Sequence, residues 1–90
     1  IQAYFPLTKN SHPTVAEVAA GWKQPLKQIE ALHKKTQKPV IFTEIGYKST
    51  HDATIEPWTW PGNEDHEKIS DVTQANAYEA LFLSLWKEPW

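Results

Sequence analysis

The sequence predicts an α/β fold in which short parallel strands are joined by helical crossovers. Two runs, Ile1-Gln2-Ala3-Tyr4-Phe5 and Val40-Ile41-Phe42-Thr43-Glu44, are short, apolar and rich in β-branched or aromatic residues, as strands are. Amphipathic helical patterns lie between them and after the second. The order strand, helix, strand, long loop, helix implies parallel pairing with right-handed crossovers. Ninety residues make at most one domain with a modest core.

Each element has a local cause. In the first run, alternation puts Ile1, Ala3 and Phe5 on one face and Gln2 and Tyr4 on the other, and Pro6 ends it. A polar connection through Asn10, Ser11, His12 and Pro13 follows. Thr14-Val15-Ala16-Glu17 has the form of a capping box, in which Thr14 and Glu17 satisfy orphan amides at a helix start. Val15, Val18, Ala19 and Trp22 then share one helical face, and Leu26, Ile29 and Leu32 form a second stripe reaching Gln37. Pro25 does not fit the interior of one straight helix. The pattern therefore predicts a short helix ending near Gly21 and a longer one from around Pro25. Lys34, Lys35 and Lys38 suit its C-terminal end and form a solvated face.

In the second strand Val40, Phe42 and Glu44 point one way, with Ile41 and Thr43 opposite, and Gly46 beyond it suits a turn. The segment from Lys48 to Ile69 exceeds the ~12–15 residues usual for a structureless connection. Its Pro57, Trp58, Trp60, Pro61 and Gly62 are a poor composition for disorder. A last helix starts near Ser70 or Asp71 and ends by Lys87, ahead of Pro89. Val72, Ala75, Tyr78, Phe82 and Leu85 define its buried stripe, widened by Leu81 and Trp86. The chain opens on a strand already under way and closes on Glu88-Pro89-Trp90 straight after a helix, so it reads as part of a larger protein.

Composition narrows the function. All nine cationic side chains are lysines and the net charge is −2, which argues against a nucleic-acid partner, for which arginine is the usual tool. No apolar run is long enough to span a membrane, so no membrane partner is expected. The absence of cysteine excludes disulfides and thiolate metal sites. His12, His33, His51 and His66 form no metal-binding pattern and are expected to be solvated or capping. Neither a cofactor nor a metal is implied. Composition does not separate a secreted from a cytoplasmic location.

The candidate chemistry centres on Glu44. A carboxylate at the lip of an apolar strand is costly to bury unless paired or put to use. The residues alone also allow Glu44 to emerge into solvent or to accept hydrogen bonds from a loop. Parallel strands present their C-terminal ends at one lip, which places Tyr4 beside Glu44, where a phenol would fix the carboxylate's rotamer. Tyr4 equally suits a strand aromatic packed under a helix. Trp58 and Trp60 arise from the same end, and their i, i+2 spacing leaves one ring free to face outward, though both suit loop anchors as well. Asp52, Glu56, Glu64, Asp65 and Glu67 read as solvated loop acids. A carboxylate, an orienting phenol and open indoles beside a cleft suit carbohydrate chemistry, since sugars stack on indoles and a carboxylate can trap an oxocarbenium-like state.

Ile1-Gln2-Ala3-Tyr4-Phe5-Pro6-Leu7, followed some forty residues later by Pro39-Val40-Ile41-Phe42-Thr43-Glu44-Ile45-Gly46-Tyr47, resembles strands six and seven of a (β/α)8 glycoside hydrolase. The resemblance is to the clan whose retaining enzymes carry an acid/base Glu after strand four and a nucleophile Glu at the end of strand seven. Within that clan the chain most resembles glycoside hydrolase family 113, the β-mannanase-like family. The resemblance implies a partial (β/α)8 barrel of about two βα units, with residues 1–90 the C-terminal part of a catalytic domain. It implies that Glu44 is the nucleophile, that Tyr4 hydrogen-bonds it, and that Tyr47, Trp58 and Trp60 shape a cleft for a polysaccharide or oligosaccharide substrate. A whole barrel needs roughly 250 residues, so the remaining strands and the Asn-Glu pair carrying the acid/base lie outside this sequence. The isolated segment is expected to be inactive. The alternatives are another retaining glycosidase of the same clan and a barrel that only binds glycans.

Overall fold

Among the described residues, regular structure is carried by three helices, α1 (Val15–Gly21), α2 (Lys23–Thr36) and α3 (Asp71–Leu85). They belong to a computed structural model that describes residues 1–59 and 69–89. The capping box forms as expected: the Thr14 hydroxyl accepts from the Glu17 amide at 3.1 Å, and the Glu17 carboxylate accepts from the Thr14 amide at 3.4 Å. Trp22 closes α1 and opens α2. Pro25 is the third residue of α2, within the first turn, where amides lack helical partners anyway; this lets α2 begin two residues earlier than the pattern predicted. Gln37 ends α2 in the left-handed conformation at φ 56°. The His33 ring, expected to be solvated or capping, is bonded to the Lys38 carbonyl at 2.7 Å and ties down the exit.

The two predicted strands do not form as regular elements among the described residues. Their segments run parallel, as expected, but as one isolated bridge between Gln2 and Glu44. Ala3 N donates to Glu44 O at 2.7 Å and Thr43 N to Ile1 O at 2.9 Å. Two segments without flanking strands make a marginal pair, and prolines at 6 and 39 limit its extension. A bend at Thr43 also breaks the alternation expected for the second segment. Phe42 therefore stacks on Trp22, with ring centroids 6.4 Å apart, while Glu44 faces a cleft on the other side.

Trp22 organises the core. It is fully buried, meets Phe5 edge-on at 5.8 Å and Phe42 face-on, and so spans both extended segments. Truncating such a residue costs about 3–5 kcal/mol. An exposed helical ion pair such as Glu30–Lys34, at 3.2 Å, contributes about 0.3–0.5 kcal/mol by comparison. Burial, not surface charge, holds α1 and α2 in place.

Helix α3 packs on α1 and meets the core through a face the sequence singled out only in part: Leu81 is buried, and Tyr78 and Leu85 pack partly buried against it, as expected. Thr73, Ala77, Ala80 and Leu81 are buried, whereas Val72, Ala75, Phe82 and Trp86 of the expected stripe are exposed. Small side chains let the two helices approach closely, and the larger rings flank an apolar groove with Val40, Phe42 and Ile45. Asn76 Nδ2, reaching the Pro13 carbonyl at 3.0 Å, joins α3 to the lead-in of α1.

Gly21 sits against the chain just after the first segment. A Cβ added there would lie 1.9 Å from the Leu7 carbonyl oxygen, a backbone atom that cannot step aside. Gly21→Ala is expected to destabilise the intact protein by about 1–3 kcal/mol, read as a lowered thermal midpoint. Gly46→Ala, whose methyl would meet only the Tyr78 hydroxyl at 3.6 Å, should leave that midpoint nearly unchanged.

Candidate active site

The parallel contact brings Tyr4 and Glu44 to one lip of an open cleft of about 640 Å³. Tyr4 Oη donates to Glu44 Oε2 at 3.1 Å. Glu44 is exposed and Tyr4 half-buried, so the carboxylate faces solvent while its partner is partly covered. The bond to Glu44 is the first cause of a Tyr4 phenol raised above its ordinary value, followed by desolvation and by the carboxylate's charge. The phenol thus keeps its proton and remains a donor to Glu44.

Gln2 joins Tyr4 on this surface, as alternation along the first segment requires, and Gly46 and Lys48 continue it beyond Glu44. Gly46 does not have the positive φ of a turn glycine. Its bare backbone leaves the cleft open beside Tyr78, whose hydroxyl accepts from the Tyr47 amide at 3.3 Å.

Trp58 lies on the cleft wall with 54% of its surface exposed, so its indole is available for stacking. The adjacent Pro57 is buried and anchors the wall. Trp60 lies outside the described residues, as do Glu64, Asp65, His66 and Glu67.

Tyr47 is a correction. Its ring is only 4% exposed, belongs to the hydrophobic cluster with Trp22 and Leu81, and meets Tyr78 edge-on at 5.3 Å. Burial pushes its phenol far above the ordinary value, and the hydroxyl has no hydrogen-bond partner among the described residues. The resemblance implied a place for it in the sugar cleft, but the ring completes the core. Only its backbone serves the site: Gln74 Nε2 donates to Tyr47 O at 2.7 Å and brings α3 to the cleft.

Asp52 is a second correction among the acids read as solvated. It accepts from Thr50 Oγ1 at 2.5 Å and pairs with Lys48 Nζ at 3.4 Å. Burial alone would raise its carboxyl, but the Thr50 hydroxyl and the Lys48 charge outweigh that and hold it below the usual value. Lys48 and Gln74 were not singled out from the sequence. The i, i+4 spacing of Lys48 and Asp52 was the available signal, but outside a helix that spacing carries little weight.

The loop that bears Trp58 is tied at its base and in its middle. Ser70 N donates to Ser49 O at 2.8 Å, beside an antiparallel bridge between Thr50 and Ile69. The Thr54 carbonyl accepts from both Leu7 N and Thr8 N, at 2.7 and 3.1 Å, pinning the loop to the exit of the first segment. Next to that exit the His12 and His51 rings lie 4.2 Å apart. Among the described residues, no group of three or more His, Cys, Asp or Glu side chains is arranged to hold a metal ion. Nor is any helix among them long and apolar enough to cross a membrane.

The family model described as Glycoside Hydrolase Family 113 matches residues 1–90. No curated protein matches the chain, and no solved structure does.

Because Asp52 titrates below an ordinary aspartate, its contribution to loop stability is complete above the unfolded value of about 3.9 and is lost as pH falls through the lower folded value. Amide protection at Ala53, Ile55 and Glu56, which close the turn, is expected to drop in that acid range. Asp52→Asn should flatten the pH dependence, as read by hydrogen exchange corrected for intrinsic rates.

Proposed function

The chain belongs to glycoside hydrolase family 113, and on that premise we propose that it forms part of a retaining β-mannan hydrolase with Glu44 as nucleophile. The observation that carries this reading is the Tyr4–Glu44 hydrogen bond of 3.1 Å at the lip of a cleft walled by the open indole of Trp58. In this reading the segments around Ala3 and Glu44 are neighbouring strands of a (β/α)8 barrel, whose strand ends carry catalytic residues. Residues 1–90 are then the C-terminal part of the catalytic domain.

A Glu44 oxygen attacks the anomeric carbon from the face opposite the leaving group. The glycosidic C–O bond breaks, and the departing oxygen takes a proton from a second carboxylic acid. That acid lies outside these residues; retention requires it about 5–5.5 Å from Glu44. The same group, now a base, deprotonates the water that releases the sugar and frees Glu44. Tyr4 holds the attacking carboxylate in one rotamer, which limits the orientational cost of attack. Trp58 offers its face to the apolar face of a sugar ring, and Trp60 is kept as a second candidate ring. No cofactor is required for this displacement.

Hydrolysis of a β-mannan panel by the intact enzyme, wild type beside Glu44→Ala, tests the assignment. Activity in the first and loss of several orders of magnitude in the second are expected, with azide restoring turnover through inversion. Equal activity in both would remove Glu44 from the mechanism. Activity on other β-glycans but not mannans would move the substrate within the clan, and binding without turnover would favour a glycan-binding barrel. Tyr4→Phe should lower kcat about 10–100-fold, the size of a hydrogen bond to a charged group, with little change in KM.

A further inference from the structure

Lys48 has no part in the reaction above, yet it stands on the cleft wall four residues after Glu44. Its side chain is only 10% exposed. A lysine so covered is costly unless its charge is matched and its donors are used. Asp52 supplies the match at 3.4 Å, with Thr50 fixing the carboxylate from its other oxygen. The Lys48 ammonium also donates to Thr59 Oγ1, whose own proton goes to the Glu56 carbonyl at 2.9 Å. The Thr59 amide donates to that same carbonyl at 3.1 Å.

Thr59 is bonded directly to Trp58. A single cationic side chain thus links the chain that leaves Glu44 to the turn that presents the indole. We propose that Lys48 is a positioning residue: it clamps the 56–59 turn so that Trp58 stands as a sugar-stacking wall at a set distance from Glu44.

This inference rests on the reading of the cleft as a glycan site, but it can be judged apart from the nucleophile. Binding of β-1,4-linked mannohexaose to the intact protein carrying Glu44→Ala is measured by calorimetry, so that turnover does not intervene. Lys48→Met on that background is expected to weaken binding about tenfold, the size of one lost stacking contact. Added to Trp58→Ala it should weaken binding no further, since the wall it positions is already gone. Lys48→Arg, which keeps the charge opposite Asp52, should restore most of the affinity. In the active enzyme Lys48→Met should raise KM about tenfold with kcat within about threefold.

Unchanged binding by Lys48→Met overturns the proposal, as do losses that add fully to those of Trp58→Ala. Failure of the protein with Trp58 intact to bind the hexaose overturns it too. Should Lys48→Met not fold, Thr59→Val removes the clamp's acceptor without an unpaired charge and decides by the same criteria. Undiminished turnover by Glu44→Ala would sink the nucleophile assignment alone; the clamp is then judged by KM in the active enzyme, where an unchanged KM for Lys48→Met overturns it.

Discussion

The meeting of the first extended segment with the chain around Glu44 is the constraint on which the rest depends. It joins residues forty apart in sequence. Were the intervening chain flexible, closing that loop would cost roughly 3 kcal/mol in entropy. Against it stand the backbone bonds Ala3 N to Glu44 O and Thr43 N to Ile1 O, together with exposed bonds from Ile1 N to Ile41 O, Thr43 Oγ1 to Ile1 O and Tyr4 Oη to Glu44 Oε2. Trp22 adds apolar burial to these bonds, since its indole rests on Phe5 from one segment and Phe42 from the other. Apolar burial on the helical side therefore sets the polar geometry on the cleft side.

Much of this was legible because the signals were local and redundant. Thr14 and Glu17 specify a helix start through two reciprocal hydrogen bonds, and both form. Ser70 similarly caps α3 by accepting from the Thr73 amide. The parallel sense of the segments followed from the helices between them, and the proximity of Tyr4 to Glu44 followed from that sense. Regular strands did not follow, because strand character depends on neighbours along both edges. The bend at Thr43 was equally invisible, since alternation assumes a straight strand.

The site residues divide along the same line. Glu44 and Tyr4 stood out through chain order, and their contact is present. Tyr47 was misjudged because an aromatic ring serves a core as readily as a sugar, and only packing against Tyr78 and its neighbours decides between them. Lys48 was passed over and Asp52 read as solvated because their pairing arises from the fold of an irregular loop, which has no period to read. Helix α3 was read in part: apolar periodicity found Leu81 and the half-buried Tyr78 and Leu85, but passed over the small buried residues Thr73, Ala77 and Ala80.

The loop ties have an engineering consequence. Bonds between Ser49 and Ser70, and from Leu7 and Thr8 to Thr54, anchor residues 49–54 and the start of α3 through partners outside Ile55 to Lys68. The chain is thereby divided into a fixed mount and an exchangeable cassette. A different cassette on the same mount is expected to alter the cleft wall that carries Trp58 while leaving Glu44 and Tyr4 where they are. Change in the cleft wall and preservation of the Tyr4–Glu44 contact thus fall to separate stretches of sequence.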